Sequence, residues 1–320
     1  MNILVLMPKL TAEQKNKIES TLSKHTVHFY DPKKHDTPDH IIETTDVIFG
    51  FPSPKLLKKT TRLKWLQLYS SGANVFVQPG VLPEGTTLTN ATGAYGTPVA
   101  EHMVAQMLAV LKNLHLYRDN QSQNLWYDHG MVRSLKSCTV LVVGLGDIGS
   151  RFAEIVKAFG AKVVGIKRRA TDKPDFIDEL YTAKQLDEQL PLADIVALIL
   201  PSTNATTGLF TAERLGKMKK HSILLNVGRG DVLDQDALCD LLDSGHLHAA
   251  ALDVTSPEPL PSEHRMWSTK NLTITPHISG NFHIPELGEE IVNLFLANFQ
   301  RFEQGEQLYN LVDFTTGYRK

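Results

Sequence analysis

"TVLVVGLGDIGSRFAEIVKAFGAKVVGI", residues 139–166, reads as a complete β-α-β unit. An apolar strand runs into Gly144, Gly146 and Gly149, spaced as G-x-G-x-x-G. A helical pattern with Phe152, Ile155 and Val156 follows, and then a second apolar strand. Each glycine has a physical task in a dinucleotide-binding turn. Gly144 permits the tight turn, Gly146 lets a pyrophosphate approach the backbone, and Gly149 lets helix and strand pack closely. The amides around Asp147 and Ile148, at the helix N-terminus, would face the phosphates. The alternative is a strand-turn-helix that needs glycine only for packing. The second strand ends in Lys167, Arg168 and Arg169. An NAD-preferring site places an acid near this point for the adenosine ribose. Three cations here favour a 2′-phosphate instead, since arginine meets it with a bidentate fork. NADP is therefore the expected cofactor, with NAD possible, Arg168 the main anchor, and a solvated basic turn the alternative.

Outward from this unit, short apolar runs alternate with helical patterns. Further strands are expected at Ile3–Met7, Val27–Tyr30, Asp46–Phe49, Trp65–Leu68 and Thr87–Thr89. Others are expected at Ile195–Leu200, Ile223–Asn226, Ala249–Leu252 and Thr273–Thr275. Several are continuous and rich in Val, Ile and Leu, as strands covered on both faces should be. The pattern predicts α/β architecture with parallel sheets. "TPVAEHMVAQMLAVLKNLH" predicts one long helix, with Thr97 as N-cap and Pro98 at the first helical position. The polar "RDNQSQNLWYDHG" after it reads as a loop. Ile291, Leu294, Phe295, Phe299 and Phe302 mark a last amphipathic helix that should return to the first domain.

At 320 residues the chain fits two domains. The net charge of -2, from 33 basic and 35 acidic residues, gives no global field for nucleic acid or an anionic membrane. Cys138 and Cys239 belong to no CxxC or metal cluster, so neither a disulfide framework nor a metal site is expected, and a reducing cytoplasm is the natural home. "MNILVLMP" reads as a buried strand rather than a signal peptide, and no apolar run is long enough to span a membrane.

Three later segments each follow an expected strand: "NVGRGDVLDQDALCDLLDSGHL", "AALDVTSPEPL" and "TPHISG". In an open parallel sheet the carboxyl ends of the strands face the ligand crevice, so Arg229, Glu258 and His277 can converge there. Hydride transfer to a 2-keto acid leaves an alkoxide that must take a proton. A histidinium is a suitable donor near neutral pH, and a neighbouring carboxylate favours its protonated form. An arginine holds the substrate carboxylate and polarises the adjacent carbonyl. On this reading His277 is the acid/base, Glu258 its partner and Arg229 the anchor. Taken singly, Arg229 is equally a turn residue between two glycines, Glu258 an exposed loop acid between two prolines, and His277 a capping or core histidine. His35, His264 and His283 are taken as surface residues. Trp267 is expected to pack in the core, with a substrate-pocket wall as the alternative.

With these motifs in place the chain resembles the D-isomer-specific 2-hydroxyacid dehydrogenases, and among them the glyoxylate/hydroxypyruvate reductases. The resemblance spans nearly the whole chain. It rests on "LTNATGAYGTPVAEH", "GLGDIGSRFAEIVKAFGAKVVG", "LPSTNATTGLF", "LLNVGRGDVLDQDALCDLLDSGHLHAAALDV", "PEPLP" and "TPHISG". It implies two Rossmann-like domains with parallel sheets, the cofactor domain (99–288) inserted in a substrate domain (1–98 and 289–320). It implies a catalytic set at Arg229, Glu258 and His277, and reduction of a small 2-keto acid to the D-2-hydroxy acid. It also implies substrate contacts by backbone amides at Ser71, Gly72 and Ala73, cofactor-lining positions at Pro201 and Thr206, and positions near the nicotinamide at Val227 and Asp253. A homodimer through the helix at 98–116 is implied too, as is closure of the two domains on the substrate. Two departures stand out. Met103 takes the place of a threonine that often follows "AEH", and Thr255 that of an aromatic often found after "LDV". The alternative function is a dinucleotide-sensing, corepressor-like binding protein on the same fold; another is oxidation of a simpler anion such as formate or phosphite.

Overall fold

The computed structural model describes residues 1–31, 37–169, 172–281, 284–315 and 318–319. His35 and His283 lie outside the described residues. The chain forms two compact units, Met1–Tyr95 with Phe282–Lys320, and Gly96–Asn281. The second is continuous and interrupts the first in sequence, with boundaries slightly upstream of 98/99 and 288/289. The first falls where a helix begins, and the second falls before the last helix, which belongs wholly to the first unit.

The first unit opens with β1 (Asn2–Leu6), α1 (Ala12–Thr21), β2 (Thr26–Phe29), α2 (Asp39–Thr44), β3 (Val47–Gly50), α3 (Pro54–Leu57), β4 (Trp65–Gln67) and β5 (Thr87–Thr89). Its sheet has the order β2-β1-β3-β4-β5, and every pairing is parallel. Four of the five β1 residues and all of β3 are buried, which is why those strands read as unbroken apolar runs. α1 starts sharply because Thr11 and Gln14 form a reciprocal capping box.

The second unit contains α4 (Gly96–Leu111), α5 (Leu114–Ser122), β6 (Thr139–Val143), α6 (Asp147–Ala158), β7 (Lys162–Lys167), β8 (Glu179–Thr182) and α7 (Leu186–Gln189). Then follow β9 (Ile195–Leu198), α8 (Ala212–Gly216), β10 (Ile223–Asn226), α9 (Gln235–Asp243), β11 (Ala249–Leu252) and β12 (Leu272–Ile274). Its sheet order is β12-β11-β10-β9-β6-β7-β8, again parallel throughout. The order turns back on either side of β6 and β9, which makes their carboxyl ends the switch point where a doubly wound sheet binds its ligand.

The chain then returns to the first unit as α10 (Pro285–Glu303), and a short antiparallel pair, β13 (Val312–Asp313) with β14 (Tyr318–Arg319), ends it. As its apolar spacing predicts, α10 packs on the first sheet: Phe295 stacks on Phe49 at 4.2 Å between centroids and lies 5.6 Å from Trp65. Asn298 is fully buried on the same helix, donating to Gln67 (2.9 Å) and to the Tyr309 carbonyl, and accepting from the Tyr309 amide (2.7 Å). Every polar atom of that side chain has a partner, so its burial is compensated.

Three local expectations need correction. α4 begins at Gly96, so Thr97 is not an N-cap and Pro98 lies within the first turn, where its missing N–H is no loss. The helix does not run on to residue 116. It ends at Leu111, because Asn113 takes a left-handed conformation (φ 55°), which asparagine tolerates better than most residues. α5 then converts the first residues of the supposed loop into helix, through Ser122. β8, at the sheet edge, is half-buried throughout and gives no apolar run to read.

Candidate active site

The glycine turn is built as its spacing predicts. Gly144 has φ 108°, and a Cβ there would stand 2.4 Å from the Ile199 carbonyl oxygen. A Cβ on Gly149 would lie 2.0 Å from the Gly144 oxygen, so no side chain fits between α6 and the end of β6. Gly146 is different: a Cβ there would meet nothing within 4 Å. The space over the N-terminus of α6 is open, which suits a pyrophosphate approaching the amides near Asp147 and Ile148. Asp147 has a further task, since its carboxylate lies where a Cβ on Gly96 would be, 2.6 Å away, so Gly96 must be bare for α4 to start there.

Lys167 is the last residue of β7, and Arg168 and Arg169 follow it, both exposed. No carboxylate occupies these three positions. After β9, Thr206 donates to the Pro201 carbonyl and folds this loop on itself. Val227 is buried directly after β10.

Arg229 sits between two glycines because two neighbouring chains pass close on either side. A Cβ on Gly228 would be 2.2 Å from the Leu200 oxygen, and one on Gly230 would be 2.0 Å from the Thr255 carbonyl carbon. Asn226, fully buried, fixes the turn by accepting from the Gly228 amide and donating to the Arg229 carbonyl, both at 3.0 Å. The Gly230–Thr255 approach leads on to the acid. The Thr255 amide donates to Glu258 Oε1 (3.1 Å), and Glu258 Oε2 lies 2.8 Å from His277 Nδ1. His277 and Glu258 side chains keep 44% and 39% of their exposure, so the pair faces accessible space. An ionised carboxylate can only accept, so Nδ1 carries a proton and Nε2 is left for substrate.

Asp253 is fully buried, and its carboxylate accepts from Thr275 Oγ1 (2.6 Å) and the amides of Ile278 and Ser279 (3.0 Å each). Its side chain thus organises the loop that carries His277. His277 itself has φ 51°, a left-handed conformation, and its amide donates to the Asp253 carbonyl (2.8 Å). Gln235, at the start of α9, is a residue that sequence reasoning passed over. Its side chain accepts from the Ser256 amide (2.9 Å) and donates to the Ser256 carbonyl, which ties down the Glu258 loop. Nothing in the local sequence marks it, because the bonded partner lies on another loop.

In the first unit Ser71, Gly72 and Ala73 follow β4. The Ser71 carbonyl accepts from Asn90 (2.8 Å), the Gly72 carbonyl from Ser70 Oγ (2.8 Å), and the Ala73 carbonyl from the Phe76 amide (2.9 Å). His264 is half-buried and caps the short turn at Arg265–Trp267, not a plain surface residue. Trp267 is 54% exposed rather than packed in the core, because its indole N–H donates to the Pro261 carbonyl at the surface (2.9 Å).

Residues 104–279 match the sequence model of the D-isomer specific 2-hydroxyacid dehydrogenase NAD binding domain. Glyoxylate/hydroxypyruvate reductase A of Photorhabdus laumondii is 28% identical over 278 residues, 83% of this chain and 85% of the relative. Formate dehydrogenase 2 of Oryza sativa is 30% identical over 253 residues, 78% of this chain and 67% of the relative. Among solved structures, an NADPH-dependent glyoxylate/hydroxypyruvate reductase from Sinorhizobium meliloti, in complex with NADP and sulfate, superposes with a TM-score of 0.85 at 26% identity and covers 99% of this chain and 100% of that one. With the doubly wound sheet and its glycine turn, these matches show that the chain belongs to the D-isomer specific 2-hydroxyacid dehydrogenase family, in the branch like glyoxylate/hydroxypyruvate reductase A.

Proposed function

We propose that the protein reduces a small 2-keto acid of the glyoxylate or hydroxypyruvate kind to the D-2-hydroxy acid, with NADPH preferred. The observation that carries this reading is the 2.8 Å pairing of His277 Nδ1 with Glu258, on the carboxyl edge of the sheet that holds the glycine turn. A bound nicotinamide supplies the hydride. His277 delivers a proton from Nε2 to the oxygen that becomes the hydroxyl. Glu258 holds the ring through Nδ1 and stabilises its charged form. Arg229 binds the substrate carboxylate and draws charge toward the reacting carbonyl. The backbone at Ser71, Gly72 and Ala73 is proposed to give the carboxylate further hydrogen bonds. The cofactor-binding set is Gly144, Gly146, Asp147, Ile148 and Gly149, with Pro201, Thr206, Val227 and Asp253 lining the site.

Cofactor preference rests on the end of β7. Arg168 is exposed there, and no acid is present at 167–169 to repel a 2′-phosphate. One charge-assisted contact contributes roughly 1.5–3 kcal/mol, about tenfold to a hundredfold in affinity. A spectrophotometric scan of 2-keto acids with NADPH and NADH tests the whole reading. The wild type should use NADPH with the higher kcat/KM, and Arg168→Ala should erode that ratio. Equal or better use of NADH, or a ratio untouched by Arg168→Ala, would reduce the basic run to surface. Formate with oxidised cofactor belongs in the same scan, because one relative bears that name. In this reading the chain acts in the cytoplasm as a homodimer through the region of α4 and α5. Exposed Leu114, Leu125, Trp126 and Met131 on and after α5 support that assembly.

A further inference from the structure

The side chain that orders the His277 loop is itself held from α4. Asp253, with no exposed side-chain surface, binds Thr275 two residues before His277, and Ile278 and Ser279 after it. The Thr275 hydroxyl has one proton, and it goes to a carboxylate that can only accept. Its two other neighbours, Gln106 Nε2 (3.0 Å) and His102 Nε2 (3.1 Å), must therefore both donate. His102 and Gln106 are four residues apart, so one face of α4 supplies both. The Gln106 amide shows how strongly this donor is required. Its Oε1 is buried and has no partner among the described residues. Turned the other way, Oε1 would face an oxygen with no proton left to give, and two acceptors would be in contact. Leaving one buried acceptor unpaired is the lesser cost. His102 Nε2 also lies 3.6 Å from Asp253 Oδ1, so the same N–H faces the buried carboxylate.

We infer that His102, Gln106 and Thr275 are positioning residues for the acid/base step: from α4 they fix the Thr275 hydroxyl, and through Asp253 they set how His277 meets Glu258. This inference rests on the acid/base reading of His277. None of the three need touch substrate. Their effect is on the lifetime and geometry of one hydrogen bond, the His277–Glu258 contact. Losing the hydroxyl frees one arm of the Asp253 clamp and lets the His277 ring drift from its partner. A misplacement of about 1 Å in a reacting group lowers turnover on the order of 100-fold.

The test reads the His277 ring as well as turnover. The imidazole is titrated by nitrogen NMR in the full-length protein, its signal assigned by loss in His277→Gln. Thr275→Val should move the His277 midpoint down, toward that of an unpaired imidazole, because weaker contact with Glu258 favours the charged form less. It should also lower kcat on the keto acid by roughly 10–100-fold, with the dissociation constant for reduced cofactor unchanged. Thr275→Ser keeps the hydroxyl and should restore both. Gln106→Leu, which keeps the volume, should move the midpoint the same way by a smaller amount, and serves if Thr275→Val folds poorly. A folded Thr275→Val or Gln106→Leu protein with the wild-type midpoint overturns the inference, as does a Thr275→Ser protein impaired like Thr275→Val. If wild type turned over no keto acid, the functional reading would fall, and the midpoints would still decide the positioning role.

Discussion

His277 Nδ1 is committed to Glu258, and everything asked of the residue in chemistry falls on Nε2. That division predicts the pH behaviour of the pair. With Glu258→Gln the neutral amide no longer favours the charged ring, so reduction should lose its proton donor at a lower pH. The acid limb of activity should survive and the neutral limb should retreat; an unchanged profile would remove Glu258 from this role. Arg229, Glu258 and His277 were legible in the sequence because each follows a strand of one sheet, and the carboxyl edge collects whatever those strands end in. Gln235 and Thr275 were not legible as supports. Their roles lie in hydrogen bonds to Ser256 and Asp253, side-chain contacts across about twenty positions of chain, which no periodicity reports. Trp267 misled for a related reason. An indole has enough apolar surface to suggest the core, and its N–H found a carbonyl at the surface instead.

At the scale of elements, the three glycines of the turn separate into two kinds. Gly149→Ala forces a Cβ to within 2.0 Å of the Gly144 oxygen, so α6 must shift and the second unit should lose stability. Gly146→Ala meets no protein atom within 4 Å and its φ of -86° suits alanine, so melting should be nearly unchanged while cofactor KM rises. Thermal melts and cofactor titrations of both variants check this; a Gly146→Ala protein with wild-type cofactor affinity would argue against a pyrophosphate there. The join between β7 and β8 supplies a pH dependence. The Lys157 ammonium and the Val163 amide, at 2.5 and 2.7 Å, hold the Asp178 carboxyl below the usual carboxylate range. Its folded value lies below its unfolded one, so the contribution is present at neutral pH and fades as pH falls through the folded value. Asp178→Asn should therefore narrow the stability gap between neutral and mildly acid pH in urea titrations, and an identical gap would discount the contact. β7 was readable because it is buried on both faces, whereas β8, half-buried at the edge with Glu179 paired to Lys162, was not. The break at Asn113 was hidden because the apolar spacing continues past it into α5.

At the scale of the whole molecule, two parallel α/β units share one chain, the second lying inside the first in sequence. That layout was readable from alternating strands and helices and from the late amphipathic helix, since α10 has no apolar face to spare for any sheet but the first. Self-association is proposed from the side chains that the single chain leaves bare, with Trp126 and Met131 almost fully exposed. Sedimentation should show a dimer, and Trp126→Asp with Met131→Asp should shift it toward monomer; a wild-type monomer at micromolar concentration would contradict the proposal. The central claim is that His277 is the proton donor of a nicotinamide-dependent keto-acid reduction. The most direct test is the turnover of glyoxylate and hydroxypyruvate with NADPH by wild type and His277→Ala, alongside the dissociation constant for NADPH. The account predicts clear turnover by the wild type, a loss on the order of 10²–10⁴-fold in kcat for His277→Ala, and cofactor binding within a few-fold of wild type. Near-normal turnover by His277→Ala would contradict it.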